Sequence, residues 1–264
     1  MPFDVVGFYK TQTATTLSSV TPVPDDIYKI SGEDLTVQEG ASWLVACLQL
    51  GISTPKYFEV RQPSLKVPYR FYRSQLCETT YIEPGFTNLA ARALPLYAGE
   101  KLNVYLQNAT AEVSMVALWL ASGKCTKAMI DAVNPTHSIT GYIDQALTAG
   151  TWTRGTITWD QSLEKGTYAI VGMKAGTYKA ANPMHAVLRL ILPNREWRPG
   201  VCCSVMAGDK TLVDKQVNQD QLFTEWSLMP EISFDHDAMP QTAEILSGAA
   251  NTDHVIELML QRIK

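Results

Sequence analysis

Charge is scarce in this sequence. Asp, Glu, Lys and Arg make up 18% of its 264 residues, against roughly 25% in ordinary soluble domains, and a surface short of charge suits one that other subunits cover. The 22 basic and 26 acidic residues leave a net charge of −4, with no Lys/Arg cluster and no basic N-terminal arm. The electrostatic footprint of phosphate-backbone binding is therefore missing, and direct sequence-specific nucleic-acid binding is not expected. Long apolar runs are lacking too. The longest uncharged one, "MVALWLA" at 115–121, falls far below the roughly 20 residues that span a bilayer. The opening "MPFDVVGFYK" has no signal-peptide layout. The five cysteines, Cys47, Cys77, Cys125, Cys202 and Cys203, are an odd number without CxxC spacing. Cys202 and Cys203 are neighbours that a strand would point to opposite faces, so free, buried thiols made in a reducing cytoplasm are expected.

Catalytic signatures are also absent. There is no GxSxG, HExxH, P-loop or GxGxxG pattern. The four histidines, His137, His185, His236 and His254, never stand two or four residues apart, so neither half offers the HxH pair of a metal-holding cupin barrel. The expectation is a protein that is not an enzyme, with no catalytic residue, cofactor or metal site. An enzymatic reading needs a carboxylate or histidine cluster that only folding brings together.

What the chain does contain is short β segments, rich in Thr, Val, Ile, Tyr and Trp and broken by Gly, Pro, Asn and Asp. Strands are expected at 27–31, 42–50, 56–62, 70–76, 101–108 and 112–120. In the second half they are expected at 153–159, 167–173, 185–192, 201–206, 223–229, 231–235 and 254–263. Two windows, 87–96 and 210–223, carry apolar residues at helical spacing and read as short helices inserted between strands. The first 25 residues read as an extended N-terminal arm.

The strongest signal is internal. "VQEGASWLVACLQLG" at 37–51 is echoed by "LEKGTYAIVGMKAG" at 163–176, pairing Gly40 with Gly166 and Gly51 with Gly176. The next segments follow, "YFEVRQP" against "AVLRLILP", with Arg61 opposite Arg189. "GEKLNVYLQN…VSMVALWL" resembles "AEIL…HVIELMLQRI", with Glu100 against Glu244, Leu102 against Leu246 and Asn108 against Asn251. A repeat this long suits two tandem domains rather than a solenoid. The division falls within 122–138, giving units of 1–130 and 131–264 that pack firmly together.

Local clusters read mostly as structure. Asp235, His236 and Asp237 in "FDHDAMP" could ligate a divalent ion, but a polar turn after a strand is the preferred reading. "EDLTVQE" at 33–39 reads as a solvated strand edge. Trp152 and Trp159 in "TWTRGTITWD" could stack a sugar or base, though core and rim packing is favoured. Trp197 and Arg198 in "NREWRPG" sit at an expected hairpin tip and are candidate subunit-contact residues. The sequon at Asn108-Ala109-Thr110 matters only in a secretory setting.

Two tandem antiparallel β units, the paired segments quoted above, an extended N-terminus and few charges together resemble the double jelly-roll major capsid proteins of icosahedral viruses, above all those of membrane-containing bacterial and archaeal viruses. The resemblance is one of layout across nearly the whole chain and carries no site residue with it. It implies an all-β fold of two tandem jelly-roll sandwiches or barrels with short inserted helices. It further implies a homotrimer presenting six barrels as a pseudo-hexameric capsomer, with neighbouring capsomers, minor capsid proteins and an internal viral membrane as partners. The place of action would be the virion, assembled in the host cytoplasm. The N-terminal segment departs from the family in being neither strongly basic nor helical. The competing reading is a two-domain carbohydrate- or receptor-binding β-sandwich, such as a viral spike or lectin-like module.

Overall fold

The computed structural model describes residues 3–12, 15–51, 55–72, 85–89, 93–108, 111–122, 135–177, 184–193, 198–205, 233–248 and 253–264. They form antiparallel β-sheets, and the one helical piece among them is a 3-10 turn at His236–Ala238. The first half contains β1 (Phe3–Gln12), β2 (Ser18–Pro22), β3 (Ile30–Ser31), β4 (Asp34–Thr36), β5 (Ala41–Gly51), β6 (Pro55–Arg61) and β7 (Tyr69–Tyr72), then β8 (Gly85–Asn88), β9 (Leu94–Pro95), β10 (Lys101–Asn108) and β11 (Glu112–Ser122). The second contains β12 (His137–Asp144), β13 (Thr153–Thr156), β14 (Thr158–Trp159), β15 (Thr167–Thr177) and β16 (Met184–Ile191), then β17 (Gly200–Val205), β18 (Ser233–Asp235), β19 (Thr242–Ser247) and β20 (Asp253–Arg262).

One pairing order occurs twice. In the first half β1 pairs β11, β11 pairs β5, and β5 pairs β8 and β9; opposite them β2 pairs β10, β10 pairs β6, and β6 pairs β7. In the second half the orders are β12-β20-β15-β18 and β13-β19-β16-β17. The corner repeats as well. Ser18, Ser19 and Val20 pair with β10, and Thr21 and Pro22 then cross to β1; β13 pairs with β19, and β14 then crosses to β12. The echoed segments are β5 and β15, and both are irregular at the matched valine. Val45 is skipped where β5 pairs β11 and Val171 where β15 pairs β20, as expected of a β-bulge. The registers correct one detail of the sequence alignment. Leu102 points into the first core while Leu246 points away from the second core, onto Gly7, so Asn103, opposite Arg61, corresponds to Glu244, opposite Arg189.

These sheets stack in four layers. The run "MVALWLA" is explained by its place in the second layer. Val116, Leu118 and Leu120 of β11 face the core shared with β6 and β10, whereas Met115, Ala117, Trp119 and Ala121 face the second half of the chain. A strand covered on both faces has no position left for polar side chains. The bulge at Val45 turns two successive residues of β5, Val45 and Ala46, toward that second face. The β13-β19-β16-β17 sheet covers it: the Trp119 indole donates to the Gly200 carbonyl at 3.0 Å, and Leu246 packs over Gly7. Leu188, Leu190, Ala243 and Ile245 point the other way, into the second core with Ile139, Ile256, Leu258 and Leu260.

The two halves approach closely at Gly7. A Cβ there would stand 2.3 Å from Leu246 Cδ2 and 3.3 Å from the Trp152 ring. Gly7→Val should therefore destabilise the fold by about 1–3 kcal/mol through overpacking, measured by urea denaturation; a cost near zero would mean the layers part without resistance.

Two sequence expectations are corrected. The N-terminal 25 residues are no arm: β1 is a central strand between β2 and β11, with Val5, Val6 and Phe8 buried. Among the described residues of 87–96 there is no helix, because those of β8 and β9 pair along the open edge of β5 and Pro95 could not donate within a helix. The second expected helix, 210–223, and the strand expected at 223–229 lie outside the described residues, as does most of the expected boundary segment.

Candidate functional site

Charges gather where the second and third layers meet. Arg189, fully buried on β16, donates through Nε and Nη2 to Glu244 Oε2 at 2.9 and 2.7 Å, and through Nη1 to the Val5 carbonyl at 2.9 Å and Asp25 Oδ2 at 2.7 Å. Its guanidinium lies 3.9 Å from the centre of the Trp152 ring. Arg198 donates to Glu244 Oε2 at 2.6 Å and pairs with Asp26 Oδ1 at 2.7 Å, while Arg154 reaches Glu244 Oε1 at 3.1 Å and Asp26 Oδ2 at 3.5 Å. Three arginines thus meet three carboxylates, which is what burial of charge requires. The hydrogen bond from Arg198 holds the Asp26 carboxyl below its ordinary range.

Asp4 is the carboxyl left over. It is fully buried at the start of β1, its Oδ1 accepts from the Val5 amide at 2.8 Å, and its Oδ2 has no hydrogen-bond partner. The buried Tyr28 hydroxyl beside it is likewise unsatisfied, although each group perturbs the other's ionisation. Burial pushes the Asp4 carboxyl up to about 7, against the pull of Arg189 and with a further push from Asp25. Burial also raises the Tyr28 phenol. Below about pH 7 the protonated Asp4 adds no charge to the seam.

The two outermost sheet faces carry a second arrangement. On the first layer Glu59 is buried between Arg61 and Arg70; Arg61 Nη2 donates to Oε2 at 2.6 Å and Arg70 Nε to Oε1 at 2.7 Å. Burial opposes ionisation of Glu59, but these two arginines hold its carboxyl below the usual range. The same guanidiniums lie 3.9 Å from the Tyr105 ring centre and 4.8 Å from that of Tyr57. On the fourth layer Tyr142 is 55% exposed, Glu257 accepts from the Ser138 hydroxyl at 2.8 Å and Lys174 stands 3.9 Å from Glu257. Asp144 and Asp253, both exposed, face each other directly across β12 and β20.

The residues singled out from sequence are scattered. Asp235 accepts from the Thr167 hydroxyl at 2.6 Å and leads into the 3-10 turn of His236 and Asp237. Among the described residues no group of three or more His, Cys, Asp or Glu side chains is placed to hold a metal ion. Trp152 lies against Arg189, and the Trp159 indole donates to the Pro240 carbonyl at 2.8 Å; both pack on the core. Arg198 is buried in the charged seam rather than at a hairpin tip, and Trp197 lies outside the described residues. Asn108 is buried, donating to the Ser114 hydroxyl at 2.6 Å. Cys47 is a buried free thiol, its ionisation pushed well up by burial; Cys77 and Cys125 lie outside the described residues. Sequence reasoning missed Asp4, Asp25, Asp26 and Tyr28. One signal was present: a charge inside an apolar strand, Arg189 in "HAVLRLIL" and Glu244 in "AEIL", needs a partner from elsewhere. No protein-family model matches the chain, and no curated protein matches it in sequence.

Proposed function

We propose that the chain is a structural coat subunit: a double jelly-roll major capsid protein that forms trimeric, pseudo-hexameric capsomers of an icosahedral shell. The observation that carries this reading is the duplicated strand order. Leaving aside the short hairpin of β3 and β4, and counting β8 with β9 and β13 with β14 as one strand each, each half pairs its first strand with its last, the last with its third and the third with its sixth. The second pairs with the seventh, the seventh with the fourth and the fourth with the fifth. That order is the one expected of a jelly roll, two interlocked Greek keys, and it supports this reading. Jelly rolls also serve as lectins and enzyme scaffolds, so fold alone does not select a function. Further support is mechanical. The two units share one apolar core and a buried ionic seam, a build suited to a rigid tile rather than to two independently moving binding modules. The lectin-like reading loses its aromatic platform, because Trp152 and Trp159 pack inward.

The testing measurement is the mass of the purified chain by size-exclusion chromatography with light scattering, followed by negative-stain imaging of the same peak. Three times the 29.2 kDa chain mass with a hexagonal outline is the expected result. A monomer at every concentration overturns the reading.

A further inference from the structure

The strand registers make the two exposed outer faces counterparts of the two faces already joined inside the chain. Arg61 and Tyr105 on the first layer stand where Arg189 and Leu246 stand on the third. Thr140, Tyr142 and Met259 on the fourth layer stand where Gly7, Tyr9 and Trp119 stand on the second, since β12 pairs β20 and β14 as β1 pairs β11 and β2. Inside the chain Leu246 lies over Gly7, and Arg189 reaches the Val5 carbonyl.

We propose that the outer faces bind one another between copies of this chain, head to tail, with Tyr105 of one copy over Thr140 of the next and Arg61 against the Ser138–Glu257 pair.

Charge supports the match. The first-layer face sets Arg61, Arg70 and Lys101 against Glu59 and Asp34, whereas the fourth-layer face sets Glu257, Asp144 and Asp253 against Lys174. Directly opposed carboxylates such as Asp144 and Asp253 repel, and an arriving arginine face relieves them. Chemistry also separates the two versions of the joint. The internal one sets Met115, Ala117 and Trp119 beside the fully buried Arg189 and its carboxylates. The external one replaces Ala117 with Glu257, Leu48 with Lys174 and Gly7 with Thr140, so each copy keeps a wettable surface before assembly. Thr140 brings a Cβ that Gly7 lacks, which makes the external joint looser. A face that meets a different face is a heterologous contact, closing into rings where the rotation permits.

This inference rests on the reading of the chain as an assembly subunit, and the experiment separates the two. A Tyr105→Cys/Thr140→Cys chain, with the wild type and each single variant as controls, is oxidised and run without reductant. The two positions lie on opposite outer faces of one molecule, on the first and fourth layers, so bonds form only between copies. A ladder of covalent dimers and trimers with the double variant alone is the expected result. Dimers with Tyr105→Cys alone mean like-to-like packing and overturn the proposal. As a second readout, Glu257→Arg should raise the concentration of half-association by about tenfold or more, in the range of a lost charge contact. Association by light scattering with neither a ladder nor an effect of Glu257→Arg sinks this inference and spares the assembly reading; a chain that stays monomeric sinks both.

Discussion

Replacing Asp4 by Asn is expected to stabilise the protein at pH 7.5 and to leave it unchanged near pH 4. Asp4 carries a carboxyl raised from 3.8 to about 7 in the folded chain. Between those values the unfolded state releases the proton and the folded state keeps it. Folding stability from this group is therefore fully present below pH 4, falls as pH rises toward 7, and stays low above it. At about 1.4 kcal/mol per pH unit the loss approaches 4 kcal/mol. Asn keeps an oxygen for the Val5 amide and presents an amide to the Tyr28 hydroxyl, so the native geometry survives without a charge to bury. Asp26 and Glu59, whose carboxyls are held low, act in the opposite sense and lose their contribution as pH falls. The difference between variant and wild type isolates Asp4 from them. Urea unfolding at pH 4 and pH 7.5 measures it. A variant no more stable than wild type at pH 7.5 would show that Asp4 ionises in the folded protein as readily as in the unfolded one, with Arg189 offsetting its burial.

Arg189→Met should be the most damaging single change in the charged seam, costing on the order of 3–5 kcal/mol, the range for stranding a buried charge. Met matches the length of the aliphatic stem, so the loss is electrostatic rather than a cavity. Glu244 retains Arg198 and Arg154. Asp25, whose side chain is 2% exposed, loses its salt bridge and keeps only the Ile27 amide at 2.8 Å. The Val5 carbonyl and the Trp152 face lose their partner as well. Adding Asp25→Asn removes the stranded charge and should recover roughly half of the loss, which a double-mutant cycle by urea denaturation measures. If the two changes simply add, Asp25 and Arg189 do not depend on each other and the seam is not one network.

The sequence revealed strands where alternation or a continuous apolar run was unbroken. The segment 101–108 alternates buried and partly exposed residues along its whole length and is a strand over that same span. β1 and β2 escaped notice because Asp4, Lys10 and the Thr/Ser-rich stretch after them read as solvated chain. Asp4 faces inward beside Tyr28, and Lys10 reaches the Ser19 carbonyl at 2.5 Å. Those neighbours come from β2 and the segment after it, whose return no local pattern announces. The echo at 37–51 and 163–176 was visible because a bulge and its flanking glycines constrain letters directly. Pairing Leu102 with Leu246 went astray because a match of two leucines says nothing about which side of a sheet each occupies. The charged seam is assembled from residues 4, 25, 26, 154, 189, 198 and 244, distances along the chain at which spacing carries no information.

The stacking of the layers has a consequence for synthesis. Every strand of the first half has been synthesised once β11 is made, and that half can close around its own core as soon as β11 emerges from the ribosome. Its outward face, with Met115, Trp119 and Leu48, stays bare until β16, β17 and β19 come together to cover it. β19 ends at Ser247, so at 5–20 residues per second the wait lasts on the order of ten seconds. During that interval every nascent chain in a polysome displays the same uncovered greasy sheet beside its neighbours. Slowing elongation after residue 122 should therefore raise the fraction of chains lost to aggregation, and a chaperone that shields apolar surface should act in that window rather than after release.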